Sequence, residues 1–104
     1  MDPSERFAEL RARYLADPRV SEGTGFGKSS GLRVGGKIFA IFATGTLTLK
    51  LPRAQVDQLT EAGLGTRFDP GHGRVMREWL SIPAQHGDRW IALADEALEF
   101  VGGK

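Results

Sequence analysis

The segment Lys37-Ile-Phe-Ala-Ile-Phe-Ala-Thr-Gly-Thr-Leu-Thr-Leu-Lys-Leu51 decides the fold of this 104-residue chain. Its first half, residues 37–43, is apolar at almost every position, which is typical of a central strand covered on both faces. In its second half, leucines at positions 47, 49 and 51 alternate with polar residues, as in a strand with one buried and one solvated face. Thr44-Gly45 supplies a tight turn between the halves. We therefore predict a β-hairpin over residues 37–51.

Regular alternation in the first strand places Ile38, Ala40 and Phe42 on one face, and Phe39 and Ile41 on the other. Two arrangements of the helices are compatible with this pattern. Helices on both faces would bury both apolar sets. Helices on a single face would leave one apolar set on the other face, where it would serve to stack single-stranded bases or to pair with a second copy of the chain.

The regions on either side of the hairpin predict three helices and further strands. Asp2-Pro3-Ser4-Glu5 is a helix start, and the N-terminal helix is predicted within residues 1–18. Residues 21–36 hold six glycines and are predicted as a loop with a short strand. A second helix is predicted over 52–63, two strands over 66–83, and a last helix over 88–101. The predicted class is α+β, a single domain of order α-β-β-β-α-β-β-α with a curved antiparallel sheet packed by helices.

Charge is distributed unevenly along the chain, although its formal net value is only +1. Residues 1–19 are balanced, residues 20–53 carry +4, and residues 54–104 carry −3. The basic middle segment contains one carboxylate, Glu22, and five cationic side chains: Lys28, Arg33, Lys37, Lys50 and Arg53. We predict that these five side chains bind nucleic acid or a protein partner.

Composition also predicts the environment of the protein. The longest mainly apolar run, residues 38–43, is too short to cross a bilayer, and the polar, acidic N-terminus does not read as a secretory signal. The chain has no cysteine, so it has no disulfides or thiolate metal sites. We expect a cytoplasmic protein with no membrane contact.

One motif resembles a phosphate-binding loop. Glu22-Gly-Thr-Gly-Phe-Gly-Lys28-Ser29 fits the pattern G-x-x-x-x-G-K-[ST] except that Glu22 replaces the first glycine. The pattern needs a buried strand before it and a helix after it. Neither flank predicts such an element, so we interpret residues 22–29 as a glycine-rich loop.

Candidate catalytic and metal-binding residues are few. His72 and His86 are the two histidines, and no ligand spacing joins them to carboxylates such as Asp69. Ser81, His86 and Asp88 lack the strand-turn-helix setting of a serine nucleophile. The acidic stripe at positions 95, 96 and 99 reads as a solvated helix face. We expect no cofactor, no metal and no catalytic activity.

From about Thr24 to Val101 the chain resembles the N-terminal domain of the TfoX/Sxy competence regulators and the related MmcQ/YjbR family. The resemblance rests on Val34-Gly-Gly-Lys-Ile-Phe-Ala40, on Leu47-Thr-Leu-Lys-Leu51, and on two later segments, residues 65–68 and 75–83, followed by a C-terminal helix. It implies an α+β fold with a curved antiparallel sheet. Members of the MmcQ/YjbR group are commonly labelled DNA-binding, and the family supplies no catalytic residues.

Two functions follow as expectations. The first is a non-catalytic binding or regulatory module, associated with nucleic acid through the five cationic side chains. The alternative is a homodimeric protein-interaction scaffold that uses the sheet face or an edge strand. A small nucleotide-binding protein is the weakest of the three candidates.

Overall fold

A computed structural model of the chain describes residues 2–24, 30–43, 45–68 and 76–103. These residues form three helices and one six-stranded antiparallel sheet, in the strand order β1-β2-β3-β4-β6-β5. The predicted α+β class with an antiparallel sheet is confirmed. The elements are α1 (Pro3–Leu15), β1 (Val20–Thr24), β2 (Ser30–Val34), β3 (Lys37–Ala43), β4 (Thr46–Lys50), α2 (Arg53–Glu61), β5 (Thr66–Phe68), β6 (Met76–Pro83), a 3₁₀ segment (Ala84–Arg89) and α3 (Trp90–Gly102).

The structure contains one strand more than the sequence predicted. Within the glycine-rich stretch 21–36, β1 pairs antiparallel with β2, and Gly23 lies opposite Gly31. Glycine is a poor strand former, but the partner strand and the buried Val20 at the start of β1 outweigh that preference. Gly23 also has a steric role, because a Cβ atom there would lie 2.5 Å from Nε of Arg33.

A β-bulge in β3 overturns the predicted alternation. Leu32 pairs with Ala40 but Arg33 pairs with Ile38, so Phe39 is an extra residue between the two pairs. Phe39 and Ala40 are both fully buried in the same core. The bulge therefore puts Phe39 on the face of Ala40 and Phe42, and leaves Ile38 on the face of Ile41.

All three helices pack on one face of the sheet. The core joins side chains of α1, α2 and α3 to the leucine face of β4 and to Leu80 and Ile82 of β6. Phe42 stacks on Phe7 of α1 at 4.8 Å and meets the edge of Trp90 of α3 at 6.1 Å. Of the two arrangements left open by the sequence, the single-face arrangement is the one present among the described elements.

Tyr14 links α1 to α3 at the edge of this core. Its hydroxyl donates to Asp95 Oδ1 and lies 3.2 Å from the carbonyl oxygen of Ile91, and Arg13 lies 3.5 Å from the other oxygen of Asp95. Burial, and then the hydrogen bond to Asp95, raise the pKa of Tyr14. Asp95 was predicted as part of a solvated stripe, and 46% of its side chain is exposed, but the structure also gives it a partner on α1.

We expect Tyr14→Phe to lower the free energy of unfolding by about 1–2 kcal/mol, the usual effect of losing a hydrogen bond to a charged group. Because the folded-state pKa of Tyr14 is raised, its contribution is present below the ordinary tyrosine pKa of about 10 and is lost as the pH rises above it. Urea denaturation should therefore show a difference between the two proteins that shrinks above about pH 10. A difference that stays constant across that range would contradict the assignment.

Candidate functional site

The two ends of the sheet differ sharply in charge. At one end β2 and β4 finish while β3 and β6 begin, since neighbouring strands run antiparallel. Cationic residues occupy these strand ends, and α2 and β5 add two more beside them. We call this set the basic rim: Arg33, Lys37, Lys50, Arg53, Arg67 and Arg77. At the opposite end the paired residues are uncharged, as in the Ala43–Thr46 and Thr46–Pro83 pairs.

Four of the five predicted binding residues lie on the basic rim. Arg33 and Lys50 lie near the ends of β2 and β4, and Lys37 begins β3. Arg53 is the first residue of α2, which follows β4 after two residues. Lys28 lies outside the described residues.

Few carboxylates neutralise the rim. Lys50 Nζ lies 3.4 Å from Glu78 Oε1, and Arg67 donates to Asp57 Oδ1 at 2.6 Å. Lys37, Arg53 and Arg77 are exposed. With six cationic side chains and these two carboxylates the rim carries a net charge of +4, so the rest of the chain carries −3.

The electrostatics at Asp57 show how the rim is arranged around α2. The hydrogen bond from Arg67 lowers the pKa of Asp57 below its ordinary value, and the charges of Arg67, Arg53 and Arg77 add to the effect. Asp57 is therefore ionised at neutral pH, with one guanidinium group bonded to it and the charges of two more acting on it.

Arg67 and Arg77 are the rim residues that the sequence did not single out. Both lie in the segment 54–104, whose net charge is −3. Their contribution depends on β5 pairing with β6 at the same end of the sheet as Lys50, and strand register cannot be read from local composition. The one available signal was the prediction of two strands over residues 66–83. It placed both arginines on strands but did not say at which end of the sheet they lie.

The sheet face opposite the helices does not offer a platform for base stacking. Ile41, Thr48 and Trp79 lie on that face, and they are only 3%, 5% and 6% exposed. The ammonium group of Lys50 lies 5.3 Å above the centre of the Trp79 ring. Base stacking needs an exposed aromatic face, so the rim is the better candidate site.

Comparisons with family models, with curated proteins and with solved structures find no match. The resemblance to the TfoX/Sxy and MmcQ/YjbR domains stays a prediction. The support for the site is therefore its own geometry and charge.

The catalytic candidates have other partners in the described residues. The Ser81 hydroxyl lies 3.0 Å from that of Thr48, and a ring nitrogen of His86 lies 3.4 Å from the Gln85 amide. Glu96 accepts from Gln55 of α2. His72 and Asp69 lie outside the described residues.

The described residues contain neither a metal-binding cluster nor a membrane-spanning helix. In ranges 2–24, 30–43, 45–68 and 76–103, no group of three histidine, aspartate or glutamate side chains is placed to hold a metal ion. No helix of the same ranges is long and apolar enough to span a membrane.

The flanks of the predicted phosphate-loop motif are described, but residues 25–29 are not. Glu22 lies in β1 and forms an ion pair with Arg11. Ser30 begins a strand, where a phosphate-binding loop needs the N-terminus of a helix. Residues 22–24, interpreted as part of a glycine-rich loop, therefore belong to β1, and the rest of that predicted loop lies outside the described residues.

Proposed function

We propose that this protein is a non-catalytic, cytoplasmic binding module that engages nucleic acid through the basic rim. The observation that carries the proposal is the gathering of six cationic side chains from five strands and a helix at one end of the sheet. Polyanions bind such surfaces through phosphate contacts and release counterions, which makes the affinity depend on salt. The resemblance to the TfoX/Sxy and MmcQ/YjbR domains supports the same function.

The length of the basic rim also favours a nucleic acid over a small ligand. The rim extends from β2 across the sheet to β5, and strands in a sheet are spaced about 4.8 Å apart. Its span of five strand positions is therefore roughly 20 Å. Successive phosphates of an extended strand fit that length, whereas a single small anion would contact only part of it.

We expect labelled DNA and RNA oligonucleotides to bind with an affinity that falls roughly a hundredfold between 50 and 200 mM salt, as four phosphate contacts would require. The double variant Lys37→Glu/Arg53→Glu should weaken binding by about a hundredfold at low salt and reduce the salt slope by about two. Fluorescence anisotropy at several salt concentrations measures both quantities.

Arg89→Glu is the matched control, because Arg89 is exposed and lies in the 3₁₀ segment that follows the uncharged end of β6. This variant reverses one charge away from the rim, whereas the double variant reverses two on the rim, and it should alter affinity little. An equal loss in the control, affinity that ignores salt, or no binding at 50 mM salt would each reject the proposal.

The alternative, a homodimeric scaffold, has one observation in its favour. In the described part of the chain β1 and β5 are edge strands, each paired on one side only. Edge strands of this kind pair with a second copy in many dimers. Sedimentation velocity would distinguish the two functions, since a strict monomer at high concentration argues against the scaffold.

A further inference from the structure

Three arginines of the rim act on Asp57 of α2: Arg67 bonds to it, and the charges of Arg53 and Arg77 lower its pKa further. Arg67 of β5 reaches the helix and donates through a terminal nitrogen to Asp57, with 35% of the Arg67 side chain exposed. A guanidinium group has five N–H donors in a planar fork. The Asp57 bond uses one of these donors and holds the fork in a defined direction, leaving the other donors able to bind an anion.

Arg53 lies on the same helix as Asp57, and Arg77 lies on the strand that pairs with the strand of Arg67. Arg53 lies four residues before Asp57 on α2, so both side chains lie on the same side of the helix. Arg77 lies on β6 where the pairing with β5 shifts, between the partners of Arg67 and Phe68. Both arginines are exposed, and of the three only Arg67 is within ion-pair distance of Asp57.

The charge of this cluster matches one chemical form of phosphate. Three guanidinium groups and one carboxylate give a net charge of +2. A phosphate monoester carries about −1.5 to −2 at pH 7 and has three free oxygens, whereas a phosphodiester of the nucleic-acid backbone carries a single charge. Arginine forks bind such oxygens in pairs.

We propose that Arg53, Arg67 and Arg77 form a subsite for a terminal phosphate monoester, so that the rim recognises the phosphorylated end of a nucleic acid. The proposal rests on the function proposed above and names the part of the ligand that this corner of the rim selects. Asp57 is a positioning residue in the subsite, because it orients Arg67 and does not itself contact an anion.

The test compares one oligonucleotide with a 5′-phosphate against the same oligonucleotide with a 5′-hydroxyl. One additional charged contact near 0.1 M salt corresponds to roughly tenfold tighter binding of the phosphorylated form. Arg77→Gln should reduce this preference to about one and keep binding through the rest of the rim. Lys37→Gln, on the rim but outside the cluster, should weaken both forms equally and preserve the preference.

The outcomes separate this inference from the proposed function. Equal affinity of the unmodified protein for both oligonucleotides overturns the subsite and leaves nucleic-acid binding intact. If neither oligonucleotide binds, the proposed function fails, and a ³¹P NMR titration with inorganic phosphate tests the subsite alone. Phosphate binding that Arg77→Gln abolishes would then support the subsite, and no binding, or binding that survives Arg77→Gln, would overturn it.

Discussion

Trp90→Ala is expected to lower the free energy of unfolding by about 3–5 kcal/mol, as truncation of a buried aromatic side chain usually does. Trp90 is fully buried at the start of α3, and its ring packs edge-to-face with that of Phe42. Truncation would leave a cavity between α3 and the sheet that the surrounding helices cannot fill. Urea denaturation followed by far-UV circular dichroism measures the loss.

Trp90→Phe is the informative companion variant. The indole nitrogen Nε1 is buried and has no hydrogen-bond partner among the described residues, and an unsatisfied buried donor costs about 1–3 kcal/mol. Phenylalanine removes that donor and retains most of the apolar ring, so its cost should be less than half that of alanine. A phenylalanine variant as unstable as the alanine variant would show that the indole N–H does have a partner. The free energy of unfolding of Trp90→Phe can be compared with that of the unmodified protein even if Trp90→Ala fails to fold.

Phe39→Ala is expected to cost about 3–5 kcal/mol, whereas Ile38→Ala should cost about 1 kcal/mol or less. Phe39 is fully buried and its ring meets Tyr14 edge-on at 5.8 Å, while Ile38 is half-buried on the face away from the helices. A regular strand would give the reverse order, because Ile38 would then join Ala40 and Phe42 in the core.

The same denaturation assay tests the bulge with this pair of variants. Both are apolar truncations at neighbouring positions of one strand, so effects on the unfolded chain are similar and largely cancel. If Ile38→Ala proved the more damaging change, β3 would have to be a regular strand without the bulge.

The sequence predicted the elements whose signals are local. Leucine alternation at positions 47, 49 and 51 identified β4 and one buried face, and Thr44-Gly45 located the connection to β3. The other face of β4 was predicted as solvated, which is wrong at Thr48, since that residue is only 5% exposed. The start of α1 was also readable: Asp2 accepts hydrogen bonds from the backbone of Ser4 and Glu5, as its cap position predicted.

The errors arose where a distant segment decides the outcome. β1 was predicted as loop because its composition is glycine-rich, yet pairing with β2 makes it a strand. Asp95 was predicted as part of a solvated helix face, and 46% of its side chain is exposed, but the sequence did not reveal that Tyr14 of α1 donates to it. In both cases the deciding partner lies outside the window over which propensity and periodicity act.

The rim residues also divide into those that the sequence identified and those that it missed. Arg33, Lys37, Lys50 and Arg53 were identified because they crowd one stretch of chain that has a single carboxylate. Arg67 and Arg77 were not identified, because they lie in an acidic part of the sequence. They join the other cations only because β5 ends and β6 begins at the same end of the sheet as Lys50.

The amino-acid order alone determined the hairpin, the helix start at Asp2 and the excess of positive charge in residues 20–53. Those features depend on neighbours within a few residues, and alternation or capping chemistry is enough to specify them. Tertiary structure alone decided which face Phe39 occupies, that all three helices share one side of the sheet, and that six cations meet at one end. Those outcomes depend on register and on packing between segments far apart in the chain, and no local pattern encodes either.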